Sequence, residues 1–115
     1  MANTFKVVTK AGVTSLDVIY TVAGSTTTVI LGLILGNTTA SQITSTVTLN
    51  TDTGSRSGAN DEDNAPVELV TNAPIPAGSS LELLAGNKVV LEATDEIKVS
   101  ASGAVDVALS IMEMT

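Results

Sequence analysis

Apolar residues in this chain recur at every second position, not every third or fourth. Ile97, Val99 and Ala101 alternate with Glu96, Lys98 and Ser100. Val105, Val107, Leu109 and Ile111 alternate with Asp106, Ala108, Ser110 and Met112, and Ile43, Val47 and Leu49 alternate with Thr44, Thr46 and Thr48. A period of two places one set of side chains on each face of a strand, so these runs read as strands with one buried face. Leu16, Val18, Tyr20 and Val22 follow the same rule, with Ile19 as an apolar residue on the second face.

The stretch Thr28 to Leu35 (TVILGLIL) departs from this pattern, being apolar on both faces. Such a strand is either central or turns its outer face towards another subunit. On strict alternation Ile30, Gly32 and Ile34 share a face, and they are the candidate subunit interface. Gly32 and Gly36 on that face allow close approach.

Turn chemistry separates the runs. Ala23-Gly24-Ser25 and Asn37 to Ser41 flank the TVILGLIL strand, and Ala85-Gly86-Asn87 reads as a tight hairpin. Pro74 and Pro76 exclude a central strand, because proline removes a ladder donor. Residues 1–115 thus read as one domain of about eight or nine strands, an all-β, single antiparallel β-sandwich. Immunoglobulin-like and jelly-roll orders both satisfy the pattern. No window shows a convincing amphipathic helix.

Composition sets what such a domain can do. With one Phe (Phe5), one Tyr (Tyr20) and no Trp, the core must be aliphatic. Tyr20 reads as a core or rim residue. Net charge is −7, and the five basic residues, Lys6, Lys10, Arg56, Lys88 and Lys98, form no stripe. Nucleic-acid binding, which needs phosphate neutralisation, is not expected, and neither is an anionic membrane surface. The absence of Cys removes disulfides, thiolate metal sites and thiol nucleophiles. It fits assembly in a cytoplasm. Met1 to Lys10 has no basic region followed by an apolar run, so it does not read as a signal peptide.

Catalytic inventory is thin. There is neither His nor Cys, and no nucleophile elbow or phosphate-binding glycine loop is visible. The chain therefore reads as non-enzymatic, with no catalytic residues and no cofactor. A long polar loop at about 50–65 holds Asp52, Arg56, Asp61, Glu62 and Asp63. Hard oxygen ligands in a loop suit calcium, but the spacing is not that of an EF-hand. The run reads first as a solvated acidic loop and assigns no metal. Its functional reading is a partner-docking loop.

A resemblance enters at the C-terminal half. Pro74 to Leu84 (PIPAGSSLELL), Gly86 to Ala93 (GNKVVLEA), Asp95 to Val99 (DEIKV) and Val105 to Glu113 (VDVALSIME) resemble a pattern in small virion structural proteins of tailed bacteriophages of cyanobacteria. Tyr20-Thr21-Val22 and Thr26 to Leu33 are similar to it as well. The resemblance implies a non-enzymatic particle component, located in the virion and assembled in the host cytoplasm. Capsid decoration is the first expectation, as a trimer or dimer gripping the major capsid protein. A neck, tail or baseplate adaptor contacting other virion proteins is the second. A carbohydrate or cell-surface binding module is a third reading, from a different class.

Overall fold

A computed structural model describes residues 2–51, 66–84 and 88–115. Its strands are β1 (Asn3–Val13), β2 (Asp17–Thr21), β3 (Thr27–Asn37), β4 (Ile43–Asn50), β5 (Val67–Ile75), β6 (Ser80–Leu83), β7 (Val89–Leu91), β8 (Glu96–Ala101) and β9 (Val105–Met114). They form two antiparallel sheets, one ordered β1-β9-β3-β6 with β7 also on β3, the other ordered β2-β8-β4-β5. This is the strand order of a jelly roll, with β6 and β7 sharing one position beside β3. The immunoglobulin-like order, left open by the sequence, is thereby set aside.

The expected alternation holds along β8 and β9. Ile97, Val99, Val105, Val107, Leu109 and Ile111 are all buried. They meet Ile30, Leu33 and Leu35 of β3, Val47 of β4 and Ile75 of β5 in one aliphatic cluster. Full burial of each such side chain contributes about 1.5–3 kcal/mol. β5 contains Pro74 and lies at the edge of its sheet, the position in a sheet that tolerates proline.

Bulges in β3 and β2 displace the alternation there. In β3, Ile30 pairs with Ile111 but the next ladder pair is Gly32 with Ser110, so Leu31 is an extra residue. Thr28 and Ile30 point to the core before it, and Leu33, Leu35 and Asn37 point there after it. In β2 the register slips between Val18 and Tyr20. Ile19 is buried there while Leu16 and Val18 are exposed, the reverse of the expected facing.

Asn37, at the end of β3, is buried and holds three segments together. Its Nδ2 donates to the carbonyls of Ser41 at 2.8 Å, Ile75 at 2.9 Å and Pro76 at 3.2 Å. Its Oδ1 accepts from the Thr39 amide at 2.9 Å and the Thr39 hydroxyl at 2.7 Å. The β3–β4 turn and the end of β5 are therefore fixed by one side chain.

Candidate functional site

The outer face of the five-stranded sheet carries an apolar row. Directly opposed residues of an antiparallel ladder share a face. Phe5 is opposite Met112, Met112 opposite Val29, and Val29 opposite Val90. Four strands thus contribute one row, about 14 Å long at ~4.8 Å per strand. Phe5 is 70% exposed and Val90 57%, so the ends of the row stand in solvent. Met112 and Val29 between them are partly exposed.

Neighbouring rows extend it. Val7, 63% exposed, is opposite Ser110, which is opposite Gly32. A Cβ built on Gly32 would meet nothing within 4 Å, so the face dips there. Ile34, 45% exposed, lies between Ala108 and Glu82. Asp106, opposite Gly36, adds a second carboxylate at this end.

Of the three residues expected at a subunit interface, Gly32 and Ile34 sit on this face. Ile30 does not. It is fully buried in the chain's own core, because the bulge at Leu31 puts it on the opposite side from Ile34. Phe5, Val7, Val29, Val90 and Met112 were missed by the sequence reading. β1 and β7 offered a signal in their apolar residues, but only the sheet order places them beside β3. The expected docking residues Asp52, Arg56, Asp61, Glu62 and Asp63 lie outside the described residues, as does the Ala85-Gly86-Asn87 hairpin.

A polar bridge ties β1 to the sandwich on the inner side of the same sheet. Glu113 of β9 accepts a 2.5 Å hydrogen bond from the Tyr20 hydroxyl and pairs with Lys6 of β1 at 2.7 Å. The Tyr20 hydroxyl also meets the Thr28 hydroxyl at 2.8 Å. Burial, reinforced by the bond to Glu113, pushes the Tyr20 phenol up to about 12. The bonds from Lys6 and then Tyr20 hold the Glu113 carboxyl below its usual range.

These directions fix a pH dependence. A depressed carboxyl stabilises the fold fully above its unfolded value and loses that stabilisation as pH falls through its folded value. A raised phenol does the opposite, so stability is lost as pH rises between about 10 and 12. Tyr20 is the chain's one tyrosine, and there is no tryptophan. Ultraviolet titration of the folded chain is expected to show a midpoint near 12, moving towards 10 in Glu113→Gln. A wild-type midpoint at 10 would remove the bridge.

A second feature lies on the outer face of the four-stranded sheet. Thr44, Thr46, Asn72, Ser100, Ala101 and Ser102 line an open polar depression of about 230 Å³. Part of its polarity is already engaged: the Thr46 hydroxyl accepts from the Asn72 backbone N–H at 3.0 Å, and the Ser102 hydroxyl accepts from the Thr44 backbone N–H at 2.9 Å. Among the described residues no cluster of three or more acidic side chains is positioned to hold a metal.

Neither a family model nor a curated protein matches the chain. Among solved structures it is similar to a chain from work titled "Bacillus endospore appendages form a novel family of disulfide-linked pili". Identity is 13%, with 96% of this chain and 85% of that chain covered at a TM-score of 0.42. A likeness that distant carries no functional argument.

Proposed function

We propose that the chain is a non-enzymatic structural protein that docks into a multi-copy assembly through the outer face of its five-stranded sheet. The observation that carries this reading is the row Phe5–Met112–Val29–Val90, together with Val7 and Ile34. Scattered exposed apolar residues are ordinary, but a contiguous patch spanning four strands marks a contact surface. The assembly is taken from the sequence resemblance: a tailed-phage particle, with head decoration as the first reading. Repetition of subunits over a head would multiply a modest contact into stable attachment. A neck, tail or baseplate adaptor would use the same face at fewer sites.

The test is binding of purified, labelled chain to separated heads and tails of the phage that encodes it. Wild type is expected on heads. Ile34→Lys/Val90→Lys should keep its melting temperature and lose binding, because both side chains face solvent in the free chain. Label on tails alone selects the adaptor. Unchanged binding by the double variant removes the face, and binding to neither removes the virion.

A second reading is favoured by one observation, the hydroxyl-lined depression over β4, β5 and β8. Hydroxyls and an amide suit a glycan, and jelly rolls serve lectins as well as capsids. Fold alone does not choose. No aromatic ring lines the depression, and the internal bonds of Thr46 and Ser102 reduce what it can offer. A glycan array with no hits would eliminate this reading.

A further inference from the structure

β1 is a long edge strand with two unequal edges. Along an antiparallel ladder, opposed residues alternate between pairs that exchange both backbone hydrogen bonds and pairs that exchange none. Ala2 and Thr115 exchange both, at 3.2 and 3.0 Å. The register from there to Lys10 runs without a shift. Thr4, Lys6, Val8 and Lys10 therefore bond to β9. Asn3, Phe5, Val7 and Thr9 turn their N–H and C=O groups to the other edge, where no described strand pairs. A long edge of this kind is a template for another strand.

We propose that this edge pairs antiparallel with β1 of a second copy, about a two-fold axis at Val7. The choice of axis follows from charge. Lys6 and Lys10 are the strand's two charged residues. An axis at Lys6 sets Lys6 opposite Lys6 of the second copy, and an axis at Val8 sets Lys6 opposite Lys10. Like charges directly opposed destabilise a ladder. An axis at Val7 sets Lys6 opposite Val8, Lys10 opposite Thr4 and Phe5 opposite Thr9. An axis at Phe5 discards much of the regular stretch, and one at Thr9 runs into the bulge between Lys10 and Val13.

The lysines then meet only diagonally, and each already has a carboxylate of its own chain. Lys6 pairs with Glu113 at 2.7 Å, and Lys10 with Asp17 at 2.9 Å. They select the register rather than block the edge. A second copy is the favoured occupant because the outer face continues across the axis. Val7 meets Val7, with Phe5 of each copy diagonal to it. The apolar row of one copy then joins that of the other across a ten-stranded sheet, an isologous contact that closes at two copies. The pairing deepens the proposed function, since it doubles the same docking face, but it has its own readout.

That readout is the mass of the full chain in solution by analytical ultracentrifugation. Wild type is expected to dimerise reversibly at or below about a hundred micromolar. Val7→Pro removes an N–H that only the dimer uses, at an edge position where proline is tolerated. It should weaken dimerisation by at least roughly tenfold while the melting temperature is retained. Val7→Lys, which opposes two ammonium groups at the axis, should do the same and serves if the proline variant fails to fold. Nitroxides on single cysteines give the register. Spin–spin broadening should be strong at V7C and weak at N3C, whose labels would lie about 27 Å apart.

A monomeric wild type overturns the pairing. So does a dimer indifferent to both Val7 variants, a mass that climbs past two copies, or broadening greater at position 3. A monomer that still docks on heads would overturn the pairing alone. A Val7-dependent dimer that docks on no particle would overturn the proposed function alone.

Discussion

Leu33→Asp is expected to leave the chain unfolded at room temperature, while Ile34→Asp, one residue along, should still fold. Leu33 is buried on the core side of β3, opposite Leu83 on one flank and Leu109 on the other. Removing the leucine loses about 2–3 kcal/mol of transfer free energy. A carboxylate in its place has no partner in an aliphatic cluster, which adds several kcal/mol more. The sum is comparable to the whole stability of a domain this size, about 5–15 kcal/mol. Ile34 is on the outer face, and an aspartate there, opposite Glu82, should cost about 1–2 kcal/mol from lost strand propensity and like charge, well short of unfolding. Far-ultraviolet circular dichroism with urea titration reads both variants. A folded Leu33→Asp with an unfolded Ile34→Asp would mean that the phase of β3 after the bulge is reversed.

Asn37→Asp is the second large effect, although it changes the shape of the side chain hardly at all. The amide nitrogen of Asn37 donates to three carbonyls, those of Ser41, Ile75 and Pro76. A carboxylate sets an acceptor against each of them and brings a charge into a buried position. The lost bonds cost about 1–3 kcal/mol and the unpaired buried charge adds several more, so a loss of about 4 kcal/mol or more is expected near neutral pH. Asn37→Ala loses the same bonds without adding charge, and since Thr39 and Ser79 still donate to the Ser41 and Pro76 carbonyls it should cost less than Asp. Acid should partly rescue the aspartate, because the protonated acid regains one donor. Denaturant midpoints for both variants at two pH values check this. Equal stability of Asn37→Asp and wild type would remove the pin.

The contrast between these two positions shows where sequence patterns carry structure and where they stop. The alternation of β8 and β9 named its buried residues directly, because those strands run through the core without interruption. In β3 the same rule put Ile30 with Ile34. One looped-out residue, Leu31, separates them, and the only local hint was the glycine beside it. In β2 a slip at the same scale buried Ile19 instead of Val18. A bulge is settled by the partner strand, which the local sequence does not contain. Asn37 read as an ordinary turn residue because its turn partners Ser41 and Thr39 are close in sequence. Its role as a pin depends on Ile75 and Pro76, which only the fold brings near. The apolar face suffered the same blindness. Ile34 was visible as a surplus apolar residue, but Val29 joined it only through the bulge at Leu31, and Phe5, Val90 and Met112 only once β1, β7 and β9 had been ordered around β3.

The neighbourhood of β1 and β9 has a consequence for how the chain comes into being. Of the described strands β1 is synthesised before the others, and its only sheet partner among the described residues is the one synthesised after all the others, β9. Closing that pair spans on the order of a hundred residues, with a loop entropy that local turns do not carry. Until β9 emerges, β1 remains an unmatched segment bearing Phe5 and Val7. Nascent copies on neighbouring ribosomes would offer each other the same segment at the same stage. Pairing between copies and completion of the monomer therefore compete for one strand, and the outcome depends on translation speed and local crowding as much as on the finished fold.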